Sequence, residues 1–243
     1  MATDAANSVT ASTKKQMIHK GIAAGFPIML GYLPIAITYG VLAKQAGMSL
    51  TELTLMSVMV FAGASQFMGV NMIAVGAGAL EIMIATFVLN FRHFVMSLSF
   101  MNRMRGIGLR WKLPLSLGLT DETFAVSALH PDEAKEEKGP WFYLALILTA
   151  YFSWIAGSFL GGVLGEVIPE QLSQSMGIAL YAMFIGLLVP SVKKEWKVAI
   201  IAILAMLING LCVELGMSSG WAIVLGTIIG GMSGIFLMKE EER

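Results

Sequence analysis

Eight long apolar stretches run through this chain: Gly21–Ala43, Leu53–Leu80, Ile82–Met101, Leu113–Leu129, Trp141–Ile168, Met176–Val192, Val198–Leu215 and Trp221–Met238. A helix that crosses a bilayer needs roughly 20 apolar residues, and these stretches reach or approach that length. Lipid offers no partner for backbone N–H and C=O groups, so such segments must be helices or strands of a closed barrel. Barrel strands alternate apolar and polar residues over about ten positions, and these do not. Only 13% of the 243 residues are charged, against roughly 25% in an ordinary soluble domain. The expected fold is an all-α polytopic membrane protein with a single membrane domain over residues 21–243. The small, polar start (MATDAANSVTAST) lacks a signal peptide's apolar core. Residues 1–20 are expected to form a disordered cytoplasmic tail.

Net charge is zero, so charges inform by position. Lys14, Lys15 and Lys20 precede the first run. Arg103, Arg105, Arg110 and Lys112 follow the third; Lys193, Lys194 and Lys197 follow the sixth; Lys239 and Arg243 close the chain. The positive-inside rule puts each group in the cytoplasm. The stretch His130–Gly139 (HPDEAKEEKG) is net acidic, which favours the outside. Between Lys20 and Arg103 the number of crossings must be even, yet there are three runs. A re-entrant hairpin in Leu53–Leu80, broken at Ala62-Gly63-Ala64-Ser65-Gln66, restores the count. If Leu113–Leu129 crosses outward and Trp141–Ile168 crosses back, Met176–Val192 must also turn around, where Gly186 and Pro190 weaken a helix. The result is about six full spans plus two re-entrant or broken segments, with possible inverted repeats over 21–101 and 141–215, a recurring transporter design. A competing count makes Leu113–Leu129 the re-entrant piece and puts the acidic loop inside.

Polar residues inside apolar runs need a reason, because a charge at mid-bilayer costs at least ~2.5–3.5 kcal/mol. Asn90-Phe91-Arg92-His93 lies within the third run. The planar guanidinium of Arg92 suits a carboxylate, of a substrate or of a side chain, and His93, as an imidazole, is a candidate proton carrier. Both residues also read as structural, Arg92 as an ion pair or snorkelling toward Arg103 at the cytoplasmic face, and His93 as a packed, satisfied histidine. Thr120-Asp121-Glu122-Thr123 interrupts the fourth run. Asp121 and Glu122 are candidates for an ammonium group or a proton. The alternative is a helix start with Thr120 as the cap, and both readings can hold together. Phe61-Ala62-Gly63-Ala64-Ser65-Gln66-Phe67 reads as a helix break whose amides, with Ser65 and Gln66, can bind polar groups, or as a small-residue packing seam. Pro27 and Pro34 predict kinks in the first run. Glu81 and Glu214 read as interfacial. No Cys/His cluster has metal-ligand spacing, no phosphate-binding loop appears and no Ser–His–Asp arrangement is implied. Neither an enzyme nor an ATP-driven pump is expected, and no cofactor. The lone Cys212 cannot form an internal disulfide.

At these motifs the sequence resembles the AzlC family of branched-chain amino-acid permeases. The resemblance lies in FAGASQF (Phe61–Phe67), NFRH followed by FVMSLS (from Asn90), LTDETF (Leu119–Phe124) and FPIMLGYLPIAITYG (Phe26–Gly40), in order and spacing, over roughly Gly21–Leu129. It implies a bacterial inner-membrane exporter of valine, leucine or isoleucine, working with a small AzlD-like membrane subunit and no nucleic acid. It carries the family motifs onto Gln66, Arg92, His93, Asp121 and Glu122. Ser65, Asn90, Phe61 and Phe124 complete the expected substrate-binding set, with His93, Asp121 and Glu122 as proton-coupling candidates. The alternative is a non-transporting membrane subunit that stabilises or regulates a partner.

Overall fold

The computed structural model describes residues 12–104, 107–165, 167–168, 178, 185–186 and 188–237. Its elements are α1 (Lys14–Gln45), α2 (Leu50–Val60), α3 (Gly63–Ala74), α4 (Ala79–Arg103), α5 (Leu109–Leu117), α6 (Asp121–Ala128), a 3-10 turn at Glu133–Lys135, α7 (Gly139–Leu164), α8 (Lys197–Glu214) and α9 (Ser219–Leu237). No strand occurs among the described residues. Five helices, α1, α4, α7, α8 and α9, are long and apolar enough to cross a membrane, as expected of an all-α polytopic membrane protein. α1 starts at Lys14, inside the stretch 1–20 expected as a tail. Thr13 and Gln16 make the reason local: the Thr13 N–H donates to Gln16 Oε1 (2.8 Å) and the Gln16 N–H to Thr13 Oγ1 (3.3 Å). This reciprocal cap fixes the helix start.

The chain forms two compact units, Met1–Leu33 with His93–Trp154 and Pro34–Arg92 with Ile155–Arg243. In the second unit, Leu53–Leu80 is broken where the sequence predicts. α2 ends at Phe61, whose φ of 39° is left-handed, and α3 starts after Ala62. A bulky residue in that region is strained by about 1–2 kcal/mol and is held there by its surroundings. The chain then folds back. The Gln66 amide Nε2 donates to Ser57 Oγ at 2.9 Å, although nine residues of straight helix would separate them by roughly 13 Å. A Cβ on Gly69 would lie 3.2 Å from Met56 Cε. Tyr39 reaches both arms, donating to the Leu53 carbonyl (3.3 Å) and meeting the Phe67 ring edge-on at 5.8 Å. Each arm is too short to span, so α2–α3 is a re-entrant hairpin.

The run Leu113–Leu129, expected as an outward crossing, is a second hairpin inside the first unit. α5 carries Pro114 and ends at Gly118; Thr120 caps α6. Both ends of this hairpin sit at the start of α7: Trp111 meets Trp141 at 4.7 Å, and His130 meets Phe142 at 5.1 Å. The Tyr143 hydroxyl donates to the His130 carbonyl (2.7 Å). The tip lies deeper, since Tyr32 touches both Glu122 and Trp154, and Trp154 is roughly 20 Å along the helix from Trp141. The segment therefore enters and leaves by one face, as the competing count requires. α1 and α7 also run parallel: Gly21 lies against Phe142, Gly25 against Leu146, and Tyr32 against Trp154. Trp141–Ile168 thus crosses in the same sense as Gly21–Ala43, not back. The opposite sense expected of repeats 21–101 and 141–215 is not carried by their first spans. Most of Met176–Val192, the expected second hairpin, lies outside the described residues, as does Arg105.

The acidic loop follows. Lys14 Nζ sits 3.6 Å from the Trp141 ring centroid, so the lysine-rich start of α1, both ends of the hairpin and the start of α7 share one end of the unit. The positive-inside rule places that end in the cytoplasm, which reverses the outside location favoured by the loop's charge alone. Lys135 pairs with Asp132 (2.7 Å) and Lys138 with Glu137, so part of the acidity is offset locally. Asp132 is held below and Lys135 above its ordinary pKa by their mutual hydrogen bond and charge. With Cys212 replaced by alanine, a Glu136→Cys variant should resist a membrane-impermeant maleimide in intact cells and react once the membrane is permeabilised. Labelling in intact cells would put the loop outside.

Candidate functional site

Each unit carries a polar cluster at the break of its hairpin. In the second unit the cluster is built on α2, α3, α4 and α7. Gln66 is fully buried and donates to Ser57, whose hydroxyl donates to Ser158 Oγ at 2.8 Å. Ser65, also buried, hydrogen-bonds Asn90 Oδ1 on α4. The N-cap position of α3 is Ala62, which supplies no side-chain acceptor to the first amides. Phe61 is buried at the break, and Phe67 is a packing residue under Tyr39. Arg92 belongs to this unit and is half-buried on α4. Glu81 is more than interfacial: its Oε1 accepts the Gly220 N–H (2.9 Å) and the Ser218 hydroxyl (2.5 Å), tying the start of α4 to the start of α9.

In the first unit the cluster lies at the tip of α5–α6. Thr120 and Thr123 form a reciprocal cap, with the Thr120 N–H donating to Thr123 Oγ1 (2.8 Å) and the Thr123 N–H to Thr120 Oγ1 (3.3 Å). The capping reading of this motif is correct, and it leaves the half-buried Asp121 and Glu122 in the first turn of α6. The Tyr32 hydroxyl lies 2.6 Å from Thr120 Oγ1 and 2.5 Å from Glu122 Oε2. Tyr32 is 6% exposed and packs edge-on against Trp154 at 5.3 Å. His93 pins the same tip, its Nδ1–H donating to the Leu119 carbonyl at 2.8 Å. A carbonyl can only accept, so Nδ1 carries a proton. His93 Nε2 is buried with no hydrogen-bond partner among the described residues. Phe124 is half-buried on α6, with Arg103 Cζ 5.6 Å from its ring.

The structure thus groups Ser65, Gln66 and Asn90 in one unit, and Glu122 with His93 beside it in the other. Sequence reading did not single out Tyr32, Ser57 or Ser158. Tyr32 had a signal: a phenol in mid-run must find a polar partner when buried. The serines had none, because their partners are remote in sequence. A cavity of about 750 Å³, lined by Arg110, Trp111, Glu136 and Trp141 among others, lies at the start of α7 and contains none of the expected site residues. No group of three or more His, Cys, Asp or Glu side chains able to hold a metal occurs among the described residues.

Five membrane-length helices, two broken hairpins and polar side chains gathered at the breaks define a polytopic α-helical membrane protein. Residues 27–168 match the AzlC protein family, and the chain belongs to it. An Archaeoglobus fulgidus protein, named only as an uncharacterized membrane protein, is 34% identical over 183 residues, covering 74% of this chain and 78% of that one. The Bacillus subtilis branched-chain amino acid transport protein AzlC is 28% identical over 192 residues, covering 77% and 74%. The Escherichia coli inner membrane protein YgaZ is 24% identical over 220 residues, 89% of each chain. No solved structure matches the chain.

Proposed function

We propose that this protein is the large subunit of a secondary transporter that exports branched-chain aliphatic amino acids such as valine across the bacterial inner membrane, together with a small AzlD-like membrane subunit. The observation that carries the reading is membership of the AzlC family, in which the Bacillus subtilis relative is named for branched-chain amino acid transport. The hairpins support it, because helices broken within the bilayer offer polar groups where lipid otherwise tolerates none. The chemistry of an amino acid assigns the roles. Arg92, or the amides at Ala62–Ser65, suits the carboxylate. Asp121 or Glu122 suits the ammonium, Ser65, Gln66 and Asn90 supply neutral hydrogen bonds, and Phe61 and Phe124 offer apolar surface to the side chain. His93, Asp121 and Glu122 are the groups that can carry a coupled proton.

Counterflow of labelled valine in proteoliposomes tests this, with and without the small subunit and across a pH gradient. Exchange above that of protein-free liposomes is expected, with accumulation responding to the gradient. An intact two-subunit complex that moves no valine, leucine or isoleucine would sink the reading and favour a non-transporting membrane subunit.

A further inference from the structure

We propose that Glu122 is the proton-carrying carboxylate of the transport cycle and that Tyr32 is its positioning residue, the two joined through Thr120 and Thr123 by a hydroxyl chain that satisfies either protonation state. This rests on the transport reading above.

Counting protons along the chain carries the argument. The Tyr32 oxygen lies within hydrogen-bond distance of both Glu122 Oε2 and Thr120 Oγ1, and a phenol has one proton to give. With Glu122 ionised, Tyr32 donates to the carboxylate and Thr120 donates to Tyr32. With Glu122 protonated, its own O–H donates to Tyr32, Tyr32 donates to Thr120, and Thr120 donates to Thr123 Oγ1, 3.2 Å away. Each hydroxyl has the lone pairs for both arrangements. Thr120 Oγ1 keeps the Thr123 N–H in either state, and Thr123 Oγ1 keeps the Thr120 N–H while donating to the Thr120 carbonyl at 3.3 Å. Two hydroxyl rotations, of Tyr32 and Thr120, therefore reverse the chain while each of its hydroxyls keeps a partner. A network built only to hold a fixed charge would not need this reversibility, and an unpaired group in either state would be costly at this depth.

The step conserves atoms and electrons. A proton from water on one side forms an O–H bond on Glu122, and the reverse step returns it to water on the other side; no bond between heavy atoms changes. Neutralising the tip lowers the cost of moving it through an apolar environment. Titratable and charged groups near the tip, among the described residues of this unit, include Asp121, next on α6; His93 of α4, whose Nδ1–H is committed to Leu119; and Arg103, over the Phe124 ring. On α7, Trp154 packs against Tyr32 with the rings 5.3 Å apart and nearly perpendicular. Tyr32 hydrogen-bonds both Glu122 and its cap, which is why the positioning role falls to it.

Two readouts in proteoliposomes of the full complex test the proposal. Infrared difference spectra on acidification should show a protonated-carboxyl band that disappears in Glu122→Gln and moves in frequency in Tyr32→Phe, which keeps the ring against Trp154. The pH profile of valine transport in Tyr32→Phe should be displaced by about one pH unit, the scale of losing one hydrogen bond to a charged group. A band that survives unchanged in Glu122→Gln puts the proton elsewhere and overturns the proposal. So does a Tyr32→Phe protein with wild-type band and wild-type pH profile. The infrared band needs no transport, so its failure is distinguishable from a wild-type complex that moves no amino acid, which would instead remove the transport reading.

Discussion

Gly40→Ala should sharply lower the yield of folded protein and its apparent Tm. α1 and α7 meet here backbone to backbone. A Cβ on Gly40 would lie 2.2 Å from the Ser158 carbonyl oxygen and 2.7 Å from the Gly162 nitrogen, and one on Gly161 would lie 2.1 Å from the Ile37 carbonyl oxygen. Backbone atoms cannot swing aside as a flexible side-chain end can, so the helices must separate. Separation also breaks contacts made with Ser158, which accepts the Ser57 hydroxyl that in turn receives Gln66. Overpacking of this kind costs about 1–3 kcal/mol, which corresponds to roughly 2–12 °C in Tm for a chain of this size. Packing through small residues is how membrane helices approach closely when hydrophobic exclusion from water does not drive them together. Gly210→Ala on α8 is the matched control, since nothing lies within 4 Å of its added methyl. Its Tm should stay level or rise, because alanine favours the helix by about 1 kcal/mol over glycine. Thermal unfolding followed by size exclusion of detergent-solubilised protein makes the comparison. Equal Tm values for the two variants would show that α1 and α7 do not touch at Gly40.

The parts of this fold written in local pattern are the parts the sequence discloses. α1, α4 and α7 follow from unbroken apolar length, and the break after Phe61 follows from the small residues Ala62, Gly63 and Ala64. The cap at Thr120 is also local, a threonine three residues before a second one. What local pattern cannot disclose is direction. Leu113–Leu129 has the length and apolarity of a crossing. It turns back because Trp111 and His130, at opposite ends of the segment, both find the start of α7. Those partners lie beyond any window used to read a helix. The expected location of the acidic loop changes for the same reason: its charge favours the outside, while its attachment to the Lys14 end of α1 favours the cytoplasm. The candidate site divides along the same line. Asn90, Arg92, Asp121 and Glu122 stand out as polar residues in apolar runs, whereas Tyr32 and Ser158 become part of the polar clusters only through contacts far apart in the chain.

Arg92→Ala and Asp121→Asn should each reduce valine efflux at least ~10-fold per molecule of folded protein, the effect of losing one charge-assisted contact to a zwitterion. The normalisation matters, because both residues also admit a structural role. If Arg92 serves mainly to hold helices together, Arg92→Ala will lose Tm and yield while the surviving folded molecules export at the wild-type rate. If it meets the substrate, folded molecules will be present and slow. Arg92→Lys sharpens the distinction. Lysine keeps the charge but not the planar five-donor fork, so a bidentate carboxylate contact should lose most of its efflux, while a simple charge requirement should be met. Asp121→Asn keeps shape and hydrogen bonding and removes only the negative charge, so a slow, well-folded variant would tie that charge to the substrate's ammonium or to a coupled proton. Repeating the measurement with an analogue lacking the amino group separates these two, because only ammonium recognition disappears with that group. Wild-type efflux in both Arg92→Ala and Asp121→Asn would remove these residues from the binding set. It would leave the hairpin amides at Ala62–Ser65 as the polar groups to test next.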